Sequence, residues 1–222
     1  MQDESTRYHA KFSVPTPLAV GDGEPSEHLL EIRGKLLCTV SDDSKKAART
    51  TVVGRLEGYK ICVEEALNHS VDLFDVCDSR DQSTHELANA VFDWRLHEFK
   101  ADIDREFQPI GRDILVVHSV TVNQAHRGRG LGLALVSRFM DVFDKGCGLV
   151  VLKPFPLQFQ PKKPGARLVP VDSRFARTLG ASRARLRSYW NKLGFIPWKR
   201  MGVSVYCPEN KRPSLSELDV DL

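Results

Sequence analysis

The stretch "AHRGRGLGLALV", residues 125–136, carries glycine at 128, 130 and 132, arginine at 127 and 129, and then an apolar run. It follows directly on "RDILVVHSVTV" (112–122), whose β-branched residues predict a strand. A strand, a glycine-rich turn and a helix start together make an anion site. The first N–H groups of a helix lack intrahelical acceptors, and the positive end of the helix dipole lies behind them. Glycines let a diphosphate approach the backbone, and Arg127 and Arg129 add charge suited to phosphate. Two readings fail on spacing. A P-loop needs G-x-x-x-x-G-K-[ST], which the chain lacks. A dinucleotide loop needs G-x-G-x-x-G, and both possible third positions are leucines, Leu133 and Leu135.

Outward from this stretch, Leu131, Leu135, Phe139 and Phe143 recur every four residues and predict a helix that stops at Gly146. "GLVVLKPF" (148–155) reads as a buried strand ended by Pro154 and Pro156. A polar excursion fills 157–180. "ASRARLRSYWNKLGF" (181–195) reads as a helix with Ser182 as a candidate N-cap, Leu186, Tyr189, Trp190 and Leu193 on one face, and Gly194 as its stop. "GVSVYC" (202–207) predicts a last strand. On the N-terminal side, two β-leaning segments (28–40 and 50–67) flank a polar, hairpin-like connection. Ser83 and Glu86 have capping-box spacing, and Phe92, Leu96, Phe99, Ile103 and Phe107 predict one long core-packing helix over 83–107.

What matches the glycine stretch is R-x-x-G-x-G, read as Arg127, Gly128, Arg129, Gly130, Leu131 and Gly132. It resembles the acyl-CoA pyrophosphate loop of the GCN5-related N-acetyltransferase (GNAT) superfamily, which joins a fourth strand to a long helix. "VVLKPFP" and then "YWNKLGF" follow in the family's order, with Leu193-Gly194-Phe195 in place of its Gly-Phe signature. The resemblance covers 112–207 well and the first half only loosely.

The resemblance implies an α/β fold with a mixed, mostly antiparallel sheet, splayed between strands 4 and 5 and flanked by helices. It implies a single acyltransferase domain over 28–207, while the polar, Pro- and Gly-dotted 1–27 reads as an arm and 208–222 as an acidic tail. Residues Arg127, Gly128, Arg129, Gly130, Leu131 and Gly132 would cradle the pyrophosphate of acetyl-CoA, the expected acyl donor. Val120, Thr121 and Val122 would hold the pantetheine arm along a strand edge. A backbone N–H near His118 would polarise the thioester carbonyl. The expected reaction is direct attack of an amine on the thioester, with His118, or Asp113 at the strand start, as base and Tyr189 as acid. The position of the family's acidic tyrosine is Trp190 here, with Tyr189 one place away, and Arg183 and Leu186 depart from the family on the same helix. An acyl-CoA-binding sensor without transfer activity is therefore the alternative.

Bulk properties narrow the rest. A formal charge of +3 does not by itself call for a polyanion partner. The five cysteines are scattered with no C-x-x-C pair, which speaks against a disulfide framework or a cysteine-zinc site, and no metal is expected. No signal peptide and no membrane-length apolar run is found, so a cytoplasmic location and no membrane partner are expected. The partner expected is an amine acceptor, small molecule or protein. Between 161 and 187 stand eight basic residues and one acid, Asp172, and nucleic acid would enter only through this segment.

Overall fold

The computed structural model describes residues 5–15, 24–42, 47–159, 178–198, 202–218 and 220. At its centre is a seven-stranded sheet in the order β1-β2-β3-β6-β7-β9-β8. The first three strands, β1 (Ser5–Ser13), β2 (Leu29–Asp42) and β3 (Ala47–Ile61), form an antiparallel meander, and β6 (Asp113–Val122) joins it antiparallel to β3. β7 (Cys147–Leu152) lies parallel to β6, and β9 (Ser204–Tyr206) and β8 (Ile196–Pro197) close the sheet antiparallel. The fold is thus α/β with a mixed, mostly antiparallel sheet.

Both faces of the sheet are covered, and β7 is buried along its whole length, as is β6 over residues 114–117. β6 shows how alternation divides the core: Ile114 and Val116 point into one cluster, Leu115 and Val117 into the other. The first face packs against α1 (Val63–Asn68), α2 (Leu73–Asp78), α3 (Gln82–Val91) and α4 (Ala101–Phe107). The second packs against α5 (Leu131–Phe143) and α6 (Leu179–Asn191). Among the described residues no helix is long and apolar enough to cross a membrane.

Three expectations need correction. Part of the supposed N-terminal arm is strand β1: Tyr8, Ala10 and Phe12 alternate onto the second core, and Phe12 lies over Gly34, where a Cβ would come within 2.9 Å of its ring. The single helix over 83–107 is in fact α3, a short hairpin of β4 (Phe92–Asp93) and β5 (Glu98–Phe99), and α4. Asp93 stops the helical run by accepting N–H bonds from Arg95 and Leu96, and His97 turns back at φ 54°. Leu96, counted in the apolar stripe, is two-thirds exposed. The caps also differ. Asp81, not the Ser83–Glu86 pair, accepts the Thr84 N–H at 2.8 Å, and Thr178, not Ser182, accepts from Ala181 at the start of α6.

The helix after the glycines and its flanking strands lie where the sequence places them. The polar excursion, with Lys162, Lys163, Arg167, Arg174 and Arg177, falls largely outside the described residues. The acidic tail is held in part: Arg212 pairs with Asp141 on α5, and Leu218 packs on the second core.

Candidate functional site

The register of β6 positions the site. Its pairing with β7 runs from Asp113 to Val117, opposite Leu152, and among the described residues no strand pairs with β6 on that side beyond this point. On its other side, Glu57 of β3 pairs with Ser119 and Gly58 with Val117, which leaves His118 as the extra residue of a β-bulge. Bulges re-aim side chains, and they concentrate beside active sites. β7 ends at Leu152, and the chain passes through Pro154 and Pro156, neither of which has an N–H for a ladder.

Between residues 117–122 of β6 and the chain leaving β7 opens a cavity of about 700 Å³, within the range of small-molecule and cofactor sites. One wall is β6 from Val117 to Val122. The other comprises Leu152, Lys153, Phe155 and Leu157, and α6 roofs the space with Ser182, Arg185, Leu186, Tyr189 and Trp190. Arg127 and Gly132 close the end nearest the glycine turn. Among the described residues, the charged side chains of this lining are Arg127, Lys153 and Arg185, with no carboxylate among them. The field inside therefore favours an anion.

The glycine turn behaves as its spacing requires. Gly128 has φ 87° and Gly130 φ 72°, a region side chains rarely enter, and Gly130 is the N-cap of α5. A Cβ at Gly128 would meet nothing within 4 Å, so this backbone is open to a ligand. Gly130 faces Val220 of the tail instead, where a Cβ would come within 3.0 Å. Arg127 Nε donates to the Val122 carbonyl at 2.8 Å and folds the turn back on the end of β6. Arg129 donates to Tyr8 Oη at 3.2 Å, and that hydroxyl also meets His126 Nδ1 at 3.0 Å. The edge strand thus buttresses the loop.

Tyr189 reaches across from α6 to the start of α5. Its Oη accepts the Leu133 N–H at 3.1 Å and would lie 2.7 Å from a Cβ at Gly132. Burial pushes the phenol's pKa up, against the lowering effect of the Leu133 and Gly132 backbone groups, and the net direction is upward. Trp190 beside it is largely buried, its ring 4.9 Å from that of Tyr189. His118 is exposed at the bulge, 6.2 Å ring to ring from the buried Tyr59. His118, Val120, Thr121, Val122, Arg127, Gly132 and Tyr189 are brought together around one cavity. Gly128 and Arg129 are exposed on the turn beside it, whereas Leu131 is buried in the second core.

Asp113 is not part of this site. Its carboxylate pairs with Lys60 Nζ at 3.0 Å at the far end of β6. Two acids instead pair with side chains of the cavity's lining: Glu57, which spacing did not single out, and Glu86, which spacing read as a capping partner. Glu57 accepts from Ser119 Oγ at 3.5 Å across the bulge, and Glu86 of α3 pairs with Lys153 at 3.5 Å. Glu57 lies one position from the bulge on the neighbouring strand, a relation visible only once the register is known.

Compared with models of known protein families, with curated proteins and with solved structures, the chain matches none.

Proposed function

We propose that this chain binds an acyl-CoA, acetyl-CoA first among them, and transfers the acyl group to an amine. The observation that carries the reading is the cavity along β6. It begins at the glycine turn and the N-terminus of α5, follows a strand edge that no described strand pairs with, and ends at a bulge carrying a histidine. Anion site, extended edge and titratable group are what a diphosphate, a pantetheine arm and a thioester need, in that order. Arg127, at the glycine-turn end of the lining, fits the same orientation.

In the reaction proposed, the amine lone pair attacks the thioester carbonyl, the C–N bond forms and the C–S bond breaks. The ammonium proton passes to His118, and the CoA thiolate leaves with a proton from Tyr189. The raised pKa of Tyr189 keeps the phenol protonated for the second transfer.

The contact between Tyr189 Oη and the Leu133 N–H favours one other reading, an acyl-CoA sensor. There the tyrosine serves the helix, and Trp190 stands where a proton donor would be needed.

Titration calorimetry with acetyl-CoA tests the first claim. Wild type binds, and Gly128→Asp, which sets a carboxylate in the open turn, weakens binding at least tenfold, or ~1.4 kcal/mol. A folded wild type that does not bind removes the proposal. Transfer to a panel of amines then separates enzyme from sensor.

A further inference from the structure

Where β2 begins and β3 ends, outside the lining of the cavity, three side chains of metal-ligating type converge. His28 closes a single 3-10 turn (Pro25–His28), and Glu65 and His69 lie one helical turn apart at the end of α1. One donor atom from each lies within 4.8 Å of the others. His28 is 2% exposed, and neither of its ring nitrogens has a hydrogen-bond partner among the described residues. A buried imidazole whose nitrogens have no partner is destabilising, and a ligated ion would relieve it. Its ring stands 5.3 Å from that of His69.

We propose that His28, Glu65 and His69 bind one borderline divalent ion, Zn²⁺ above all, and that the ion staples the entry to β2 onto α1. Two imidazoles and a carboxylate form a recognised zinc donor set, with water in the fourth position. That water has access, because Glu65 and His69 are exposed on the outer side. Donors around a tetrahedral ion at ~2.0–2.1 Å stand about 3.3 Å apart, so side-chain rotation closes the remaining gap. The backbone already holds the two ends in place, since the Cys62 N–H donates to the His28 carbonyl at 2.9 Å. The site is distinct from the cavity: it flanks Ile61 at the end of β3, and none of its three residues lines the cavity.

The test uses the whole chain, stripped with chelator and titrated with Co²⁺ and Zn²⁺. Wild type takes up one Co²⁺, shows visible ligand-field bands without thiolate charge transfer, and gives up the Co²⁺ to Zn²⁺. His69→Ala and Glu65→Gln each weaken binding by more than the roughly 10–100-fold that loss of an outer partner costs, whereas Glu64→Gln does not. Zn²⁺ raises the thermal midpoint of wild type and not of His69→Ala. A folded wild type without stoichiometric binding overturns the proposal. So does binding that survives His69→Ala, or thiolate bands that move the ligands to the cysteines.

Discussion

Tyr189 is the residue on which the catalytic and the structural readings of the cavity divide. Its oxygen accepts an N–H from the first turn of α5, where Gly130 as N-cap has no side chain to do so. Tyr189→Phe therefore loses about 1 kcal/mol of stability in denaturant unfolding. As a transferase the same variant keeps acetyl-CoA affinity, while kcat falls about 10²-fold and the pH profile loses its alkaline limb. Stability loss with kcat unchanged assigns Tyr189 to α5 alone. The sequence brings Tyr189 and Trp190 to one helix face. It does not reveal that Tyr189 meets the glycine turn, because that contact depends on how α6 crosses α5.

At the scale of elements, α3 shows how a cap outweighs a pattern. Asp81 accepts from the Ser83 hydroxyl, the Thr84 N–H and the Thr84 hydroxyl. Burial raises its pKa, but these bonds and the Arg80 charge outweigh that and hold it at about 2. A depressed carboxylate pKa stabilises the fold above its unfolded value, near 4, and that contribution disappears as the pH falls through about 2. The group is partly exposed, so screening reduces the effect. Asp81→Ala should cost about 1 kcal/mol near neutral pH, and the gap to wild type should close between pH 4 and pH 2 in urea unfolding series. The same region shows where periodicity fails. Phe92, Phe99, Ile103 and Phe107 keep helical spacing and do reach the core, but a hairpin and one helix, α4, deliver them there.

For the whole molecule, the sheet is the frame that aligns the cavity, and Gly58 is where three of its parts meet. A Cβ there would lie 2.6 Å from the Phe139 ring of α5 and 2.7 Å from the Val116 carbonyl of β6. Gly58→Ala must push α5 off the sheet or open the ladder beside the bulge. We expect a loss of about 1–3 kcal/mol, read as a lower urea midpoint at unchanged m-value. Acetyl-CoA affinity should fall with it, because the start of α5 and the bulge both move.

The sequence by itself determined the local elements whose physics is short-range. A β-branched run made β6, a glycine turn opened α5, and four-residue apolar spacing turned α5 onto the sheet. Those features need only backbone sterics and periodicity, which neighbouring residues supply. The tertiary structure alone decided what depends on register and crossing. It set His118 in a bulge opposite Glu57, sent Asp113 to an ion pair, broke 83–107 into three pieces, and brought His28 to Glu65 and His69. His28 and Glu65 are separated by two whole strands, and no spacing rule spans such a gap. Only the antiparallel return of β3 along β2 closes it.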